Sequence, residues 1–247
     1  MAHELAAAAA DAWDELADRD DLDDVVGMGA DGTPTSRADR DVEAAMLAVA
    51  SDLGINVLSE EAGHLDHGGA LTAVIDPVDG TRNAGRGIPF FCTSVAIGHA
   101  GRIDAGVVQN LSTGDVYAAA MGQGATLNDR SVRPRGFDPD DVAVALIADY
   151  ADTTDVERIQ RRHWHIRDLG SAALELCLVG TGGLDAFHVP RPWLRVIDVA
   201  AGTLFVREAG GRVVAPGTHD DLATPFDLDT RLALTAVHDA AGLEAFP

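Results

Sequence analysis

The sequence contains no lysine: all 18 of its basic residues are arginines. This absence excludes a Schiff base formed by a lysine amine and the lysine of a Walker-type phosphate loop. Aromatic residues make up only 5% of the chain, and there are only two cysteines. Cys92 and Cys177 stand among apolar residues, which is typical of small core side chains. We therefore expect a reducing compartment, the cytoplasm, rather than a disulfide framework.

Long hydrophobic runs are also missing. No apolar run approaches the roughly 18 residues that a membrane-spanning helix needs. The alanine run at residues 6–10 has no basic segment before it that would indicate a signal peptide. The chain has 247 residues, of which 47% are hydrophobic, and a mean hydropathy of +0.04. These values predict a soluble globular protein of one large or two small domains, with no membrane partner.

The charge is strongly of one sign, since 40 acidic residues against 18 basic ones give a net charge of −22. Such a surface repels nucleic acids and anionic membranes, so we expect neither as a partner. It suits a salt-rich cytoplasm, where screening weakens the repulsion between acidic groups. We therefore hypothesise a halophilic source, for which unfolding measurements should show lower stability in dilute buffer than in multi-molar KCl.

Apolar periodicity predicts helices at residues 3–19 and 36–52. An antiparallel meander of strands is predicted at residues 92–98, 103–109, 116–120 and 125–127. After a connector at residues 133–141, strands and helices alternate, which favours an α/β fold class with layered sheets and helices. We predict an N-terminal α+β subdomain at residues 1–134 and a C-terminal α/β subdomain at residues 135–247.

The stretch at residues 74–81 (Val-Ile-Asp-Pro-Val-Asp-Gly-Thr) runs from an apolar strand into an acidic turn. Pro77 fixes the backbone there and has no N–H, so Asp76 and Asp79 can point into a common volume. Carboxylates and a backbone carbonyl are hard oxygen ligands, which suit Mg²⁺. Gly80 and Thr81 then offer backbone N–H groups to phosphate oxygens. The alternative interpretation is an acidic turn on a salt-adapted surface.

Further acidic residues stand where a predicted strand or loop ends: Asp39, Glu60, Glu61 and Asp198. Asp198 precedes an alanine-rich stretch with helical character, where its carboxylate could cap a helix by accepting a backbone N–H bond. On this pattern alone, a capping role and a metal-binding role are both open for Asp198.

Several motifs, in matching order and spacing, resemble the inositol monophosphatase superfamily. They are Ser59-Glu-Glu61, Asp76-Pro-Val-Asp-Gly-Thr81, Gly170-Ser-Ala-Ala173, Asp198-Val-Ala-Ala-Gly202 and Glu208-Ala-Gly-Gly211. The segment at residues 27–35 and the run Arg195-Val-Ile-Asp198 resemble the archaeal branch, whose members hydrolyse fructose 1,6-bisphosphate and inositol monophosphates. The resemblance implies a layered α-β-α-β-α sandwich, with an N-terminal antiparallel sheet and a C-terminal mixed sheet, that forms a homodimer.

The resemblance also implies metal ligands. Glu60, Asp76 and the carbonyl of Val78 would hold one Mg²⁺, and Asp76, Asp79 and Asp198 would hold a second. A third, weaker ion would lie near Glu60, so that two or three Mg²⁺ act as cofactors. Such ions would stabilise the charge that spreads over the phosphate oxygens in the transition state.

The remaining implied roles concern the reaction itself. Thr81, oriented by Asp39, would take a proton from a metal-activated water that attacks phosphorus directly. Glu61 would assist from behind the ligands. The phosphate would lie at Asp79, Gly80 and Thr81, and no covalent phosphoenzyme is needed.

For the rest of the substrate, the resemblance points to Arg167, Ala172 and Arg191. In the animal branch an acidic residue stands seven positions before the final metal aspartate, where this chain has Arg191. An arginine there could bind a second phosphate through two hydrogen bonds, which favours a sugar bisphosphate. The alternative is that Arg191 pairs with a surface aspartate.

Three other functions remain open at this point. A nucleotide 3′-phosphatase of the same superfamily would need a platform for the base, whereas the three tryptophans are predicted to be packing anchors. A haloacid dehalogenase-type phosphatase would need an aspartyl nucleophile with an acid two residues later, whereas Asp76 and Asp79 are three apart. An inactive metal-binding regulatory protein is disfavoured because all of the acidic motif residues and Thr81 are present.

Overall fold

The computed structural model of the chain describes residues 1–17, 19–30 and 32–245. Asp18, in the first predicted helix, and Asp31, in the segment at residues 27–35, lie outside the described residues. The α-helices in the described part are α1 (Ala2–Leu16), α2 (Arg37–Leu53), α3 (Thr81–Ala84), α4 (Thr153–Gln160), α5 (Ala172–Thr181), α6 (Val196–Glu208) and α7 (Ala240–Ala245). None of these helices is both long and apolar enough to cross a membrane.

The first part of the chain forms a two-stranded ribbon and an eight-stranded sheet. The ribbon pairs β1 (Val25–Met28) with β2 (Pro34–Ser36). The sheet has the order β10-β9-β8-β7-β6-β5-β3-β4. Its strands are β3 (Asn56–Ser59), β4 (Gly63–Leu65), β5 (Thr72–Asp79), β6 (Cys92–His99), β7 (Arg102–Asn110), β8 (Val116–Ala120), β9 (Gly124–Leu127) and β10 (Arg130–Ser131).

A five-stranded mixed sheet follows, in the order β12-β11-β13-β15-β14. Its strands are β11 (Ala143–Leu146), β12 (His165–Arg167), β13 (Ala186–Leu194), β14 (Arg212–Val214) and β15 (Leu232–Val237). The strand β11 is parallel to β12 and β13, and β15 is antiparallel to both of its neighbours. This sheet is the mixed one that the resemblance implies.

The two sheets and the helices stack in five layers. Helices α1 and α2 cover one face of the eight-stranded sheet. Helices α5 and α6 lie between the two sheets and bury apolar side chains against both. Apolar residues of α4 and α7 pack on the outer face of the five-stranded sheet. The expected α-β-α-β-α sandwich is therefore confirmed.

The eight-stranded sheet differs from the expectation in one place, because it is not antiparallel throughout. The strands β3 and β5 are parallel, with Ser59 beside Ile75, while all other pairs are antiparallel. The short strand β4 folds back antiparallel to β3 along the outer edge of the sheet. The chain then crosses to the other side of β3 and forms β5 in the same direction as β3. Parallel strands end at the same edge of a sheet. This pair therefore brings Glu60 and the turn at residues 76–79 together.

Two helix ends place site residues. Ser36 precedes α2 and its hydroxyl accepts a hydrogen bond from the backbone N–H of Asp39, so Asp39 lies in the first helical turn. Helix α6 begins at Val196, earlier than the alanine-rich stretch suggests. The Asp198 carboxylate accepts a bond from the backbone N–H of Arg195 at 2.9 Å, which satisfies one of the free N–H groups at the start of the helix. Asp198 therefore helps to cap α6, but as the third residue of the helix and not from the position before it that the sequence indicated.

The last strand of the first sheet ends at Ser131 and the first strand of the second begins at Ala143. The boundary proposed between residues 134 and 135 falls in this connector. Since α5 and α6 pack against both sheets, the division into two subdomains stays a prediction.

Candidate active site

A cavity of about 800 Å³ opens where β3 and β5 end. We call the acidic bottom of this cavity the floor. It is formed by Asp39, Glu60, Asp76, Asp79 and Thr81. We call the outer edge of the cavity, formed by Arg82, Arg86, Tyr150, Trp193 and Arg231, the rim. All of these residues line the cavity, together with Arg195, Val78 and Gly80.

The turn at residues 76–79 is shaped by a bulge. Asp76 pairs with Ser94 and Asp79 with Cys92, so three steps on β5 match two on β6. The extra residue falls at the segment with Pro77, which has no N–H to give to the ladder. The bulge re-aims the chain so that both aspartates line the same cavity, which is the arrangement that the spacing indicated.

Asp39 and Thr81 meet across 42 residues of chain. The Thr81 hydroxyl has two acceptors in reach, the Asp39 Oδ1 at 3.1 Å and the Val78 carbonyl at 2.8 Å. The other Asp39 oxygen accepts a bond of 2.6 Å from the Ser36 hydroxyl. Burial raises the pKa of Asp39, and the bonds from Ser36 and Thr81 oppose this shift. The geometry therefore orients the Thr81 hydroxyl through a buried carboxyl group.

The Glu60–Glu61 pair is held by the ribbon. The Thr33 hydroxyl donates to Glu60 at 3.2 Å, and the Thr35 hydroxyl donates to Glu61. Burial raises the pKa of Glu61 to about 7, and the neighbouring Glu60 adds to the rise. The segment at residues 27–35 thus has a local purpose in its described part: its threonines fix both glutamates.

A supporting residue that the sequence did not single out is Glu43. It is buried on α2, and one carboxylate oxygen accepts bonds from the Ser59 hydroxyl and from the backbone N–H of Ala62. It therefore ties down both ends of the Glu60–Glu61 turn. Its spacing of four from Asp39 places both on one helix face, which was the available signal.

Asp76 and Asp79 lie in a strongly negative environment. Asp76 is only 2% exposed, and burial raises its pKa, with further contributions from Glu60, Asp79 and Asp198. The pKa of Asp79 is also raised, first by burial and then by Asp198. One oxygen of Asp79 accepts bonds of 2.7 Å from the Ser171 hydroxyl and from the Ala173 backbone N–H at the start of α5. These carboxylates repel one another, so the cluster favours bound cations.

Arg195 joins Glu60 to Asp198. Its Nη2 lies 2.8 Å from the Asp198 Oδ1, its Nε lies 3.1 Å from the same oxygen, and its Nη1 donates to Glu60. Burial lowers the pKa of Arg195, but the charges of Asp198, Glu60 and Asp76 outweigh it and raise the pKa overall. Asp198 itself is buried, and through Arg195 it is connected to the floor.

The donor chemistry of the floor fits Mg²⁺. Its carboxylates and the Val78 carbonyl are oxygen donors of the kind that this ion prefers, and burial, together with the neighbouring carboxylates, raises the pKa values of Asp76 and Asp79. As they stand, however, no three Asp, Glu, His or Cys side chains within the described ranges are arranged around one point to hold an ion. Asp198 and Glu60 are both turned towards Arg195, so these two side chains would have to move for one ion to contact both.

Gly80 lies between the floor and the rim. Its φ of 93° is in the left-handed region, and a Cβ there would be 3.1 Å from the carbonyl oxygens of Gly170 and Phe90. No other residue fits this position without displacing backbone. The backbone of Gly80 and Thr81 therefore approaches the cavity without side-chain cover at residue 80.

The remaining predicted substrate residues are not among those that line the cavity. Arg167 ends β12 and is exposed, and Ala172 is buried at the start of α5. Arg191 pairs with Asp152 and, at 3.0 Å, with Asp155, and it donates to the Tyr150 carbonyl. This pairing matches the alternative given for Arg191, and the substrate roles of the three residues stay predictions.

Trp193 contradicts the prediction that all three tryptophans are packing anchors. Trp13 and Trp164 are buried, but Trp193 is 53% exposed on the rim. Its ring stacks on Tyr150, with ring centroids 5.7 Å apart and 13° between the planes. The pairing of β13 with β15 is interrupted between Val189 and Leu194. The two prolines in this interval were the available signal, since proline favours unpaired parts of a strand.

Comparisons with known proteins agree with this fold. A profile of the inositol monophosphatase family matches residues 1–243. A fructose-1,6-bisphosphatase/inositol-1-monophosphatase from Methanothermobacter thermautotrophicus is 37% identical over 215 residues, which are 80% of this chain and 77% of that protein. A bifunctional NADP phosphatase/NAD kinase from Methanococcus maripaludis is 32% identical, over 85% of this chain and 42% of that protein. A solved structure from Pyrococcus horikoshii, described as similar to inositol-1 monophosphatase, matches with a TM-score of 0.86 and 28% identity, covering 98% of this chain and 95% of that one.

Proposed function

Since this chain belongs to the inositol monophosphatase family, whose named relatives are phosphoric monoester hydrolases, we propose that it hydrolyses a small phosphorylated sugar or polyol with the help of Mg²⁺. The proposed substrates are fructose 1,6-bisphosphate and inositol 1-phosphate, the two that the relative's name contains. The observation that carries the proposal is the convergence of Glu60, Asp76 and Asp79 on one cavity. The family that the chain matches is not that of the haloacid dehalogenase-type phosphatases considered above.

The proposed metal ligands are Glu60, Asp76, Asp79, Asp198 and the carbonyl of Val78. Mg²⁺ held there would supply positive charge to the phosphate oxygens and make a water molecule more acidic. The burial of Asp76 supports this role, because a buried carboxylate among others gains most from a divalent ion. The number of ions, two or three, is part of the proposal.

The proposed base is the Thr81 hydroxyl. It takes a proton from the attacking water while it passes its own proton towards Asp39, whose Oδ1 lies 3.1 Å away. Ser36 keeps the Asp39 carboxyl in place from the other side. Glu61 is proposed to assist from outside the cavity, since the Thr35 hydroxyl holds it beside Glu60.

The proposed phosphate site is the backbone of Gly80 and Thr81 together with Asp79. The left-handed conformation of Gly80 leaves this backbone free of side-chain cover, so that N–H groups can approach phosphate oxygens. Arg82 and Arg86 on the rim add positive charge near this point. Arg167, Ala172 and Arg191 are proposed as contacts to the rest of the substrate on the family resemblance alone.

A substrate panel tests the proposal. Release of phosphate from fructose 1,6-bisphosphate, inositol 1-phosphate, 2′-AMP and NADP should be measured with Mg²⁺ at high KCl, and again with a chelator. We expect sugar and polyol phosphates to give the highest kcat/KM and the chelator to abolish turnover. Hydrolysis that is unchanged by the chelator would refute the metal-dependent part of the proposal.

A second candidate is a nucleotide phosphatase, and one observation favours it. The stacked Tyr150–Trp193 pair places an exposed aromatic face on the rim, and stacking on such a face is a general way to bind a base. One relative is named as an NADP phosphatase. In the same panel, a higher kcat/KM for NADP or 2′-AMP than for the sugar phosphates would select this candidate.

Two further properties belong to the proposal. We propose a homodimer, which light scattering on the purified protein can test. We also propose that the protein works in a salt-rich cytoplasm, because its net charge of −22 destabilises the folded state wherever screening is weak.

A further inference from the structure

The position of Arg195 has a consequence for metal binding. Its guanidinium contacts Glu60, the residue after β3, and Asp198, on α6, so it joins two carboxylates 138 residues apart in the chain. Both belong to the proposed metal ligands. The arginine side chain is only 22% exposed, and the side chains of Glu60 and Asp198 are less exposed still. The contact is therefore a partly buried ion pair rather than a surface one.

A cation in this place competes with any other cation for the same oxygens. The guanidinium presents several N–H groups in a fixed plane, and it uses two edges here, one towards each carboxylate. The Asp198 Oδ1 that accepts from Nη2 also accepts from Nε, and the Oδ2 accepts from the backbone N–H of Arg195. Little lone-pair capacity is left on Asp198 for a metal ion unless the guanidinium moves.

The local charge explains why the arginine side chain lies in this place. Glu60, Asp76 and Asp198 all act on Arg195, and a buried cluster of carboxylates without a cation is unstable. Among the arginines that line the cavity, Arg82 contrasts with it: its side chain is 88% exposed, and its Nη1 lies 3.6 Å from the Asp149 carboxylate. The two arginines thus carry the same charge in the same cavity, but only Arg195 contacts proposed metal ligands.

We propose that Arg195 is a tethered competitor of the divalent cation: it holds Glu60 and Asp198 together, lowers the affinity of the site for an ion that uses them, and must swing away when such an ion binds. Arg195 is in this sense a positioning residue. This inference rests on the proposed metal-dependent function. The experiments below measure ion binding and unfolding rather than turnover, so the inference about Arg195 and the proposed function can fail separately.

The experiment is titration calorimetry with Mg²⁺ and, separately, Mn²⁺ at fixed KCl on the wild type, Arg195→Gln and Arg82→Gln. We compare the dissociation constants of the weakest measurable ion site in each protein. We expect this site to bind its ion at least about tenfold more tightly in Arg195→Gln than in the wild type, or Arg195→Gln to bind one more ion. Arg82→Gln, which removes the same charge, should change the affinity by no more than about twofold, because exposed charges are screened. Equal effects of the two substitutions, or unchanged or weaker binding by Arg195→Gln, would overturn the inference. Absence of binding by every protein would overturn both the inference and the metal-dependent function.

Thermal unfolding supplies an independent readout. In a chelator, Arg195→Gln should melt at a lower temperature than the wild type, since Glu60 and Asp198 lose the positive charge of the guanidinium. Saturating Mg²⁺ should then raise the Tm of this variant by more than it raises the Tm of the wild type. If Arg195→Gln does not fold, Arg195→Lys serves, because it keeps the charge but cannot contact both carboxylates in the same way. Its ion affinity should lie above that of the wild type. A lower Tm that Mg²⁺ does not restore, together with unchanged affinity, would show that Arg195 only stabilises the start of α6.

Discussion

The floor and the rim of the cavity are built from different parts of the molecule. The floor lies at the ends of two parallel strands in the eight-stranded sheet and on the first turn of α2, and Asp39 and Asp76 are buried. The rim comes from the segment after β5, from connections of the five-stranded sheet and from the unpaired stretch of β13, and Arg82 and Trp193 are largely exposed. The carboxylates of Asp39, Glu60 and Asp79 accept hydrogen bonds that orient them, whereas the rim presents a free aromatic face and charged side chains.

This difference separates two tasks. Strand ends in a close-packed sheet hold side chains in fixed positions, which suits steps that need oriented groups. Exposed residues on connecting segments can change without loss of the core, which suits recognition of different substrates. We therefore expect changes in the floor to affect every substrate alike, and changes in the rim to affect some substrates more than others.

The largest expected effect comes from Asp76→Asn on the floor. It removes a proposed ligand from the centre of the cluster, so kcat/KM should fall by about 10³-fold or more for every substrate, equivalent to about 4 kcal/mol of transition-state stabilisation. In a chelator the variant should melt at a higher temperature than the wild type, because the repulsion by Glu60 and Asp79 is relieved.

Asp220→Asn is the matched control, since Asp220 is exposed and does not line the cavity. It makes the same chemical change and should leave both kcat/KM and Tm close to the wild-type values. Retained turnover in Asp76→Asn, with normal metal affinity, would remove Asp76 from the proposed ligand set and with it the distinction between floor and rim.

A smaller effect on the floor is expected from Thr81→Ala. Loss of the hydroxyl removes the proposed base, so kcat should fall by about 100-fold, while Mg²⁺ affinity measured by calorimetry should change little. Thr81→Ser keeps the hydroxyl within reach of Asp39 and should retain most of the activity. A normal kcat in Thr81→Ala would refute the role assigned to this residue.

The parts of the floor that could be predicted from the sequence are those that depend on local order. The strand before Asp76, the proline in the turn and the start of the second helix near residue 36 are all set by neighbouring residues, and the structure has them in place. The layered fold followed from the family motifs and from the alternation of strands and helices. The parallel pairing of β3 and β5 was missed, because it depends on where the short strand β4 folds.

Contacts between distant residues account for the features of the site that could not be predicted from the sequence. Arg195 and Glu60 are 135 residues apart, and apolar periodicity carries no signal that a particular arginine will reach a particular glutamate. Trp193 was predicted to be buried from its residue type, whereas the interrupted pairing of β13 leaves it on the rim. Long-range pairing of polar groups and the exposure of a single aromatic residue are decided by the assembled layers, not by the local sequence.

On the rim, Trp193→Ala should separate substrate classes. If the exposed ring stacks on a base, kcat/KM for NADP and 2′-AMP should fall by about tenfold, as expected for the loss of about 1–3 kcal/mol of stacking. The value for inositol 1-phosphate should change by less than about twofold. Trp193→Phe keeps an aromatic face and should lie closer to the wild type. The same loss for all substrates would show that Trp193 only supports Tyr150 and that the rim does not select a base.

The smallest effect is expected for Arg191→Ala, because Arg191 is already paired with Asp152 and Asp155. A second phosphate must replace these partners, so only a small net gain remains, comparable to an exposed ion pair of about 0–1 kcal/mol. The substitution should lower kcat/KM for fructose 1,6-bisphosphate by about threefold more than for inositol 1-phosphate. Asp152→Asn, which frees one edge of the Arg191 guanidinium, should slightly increase the preference for fructose 1,6-bisphosphate over inositol 1-phosphate. Equal losses for both substrates in Arg191→Ala, with no shift in Asp152→Asn, would assign Arg191 to the ion pair alone and leave the choice of substrate to the residues that line the cavity.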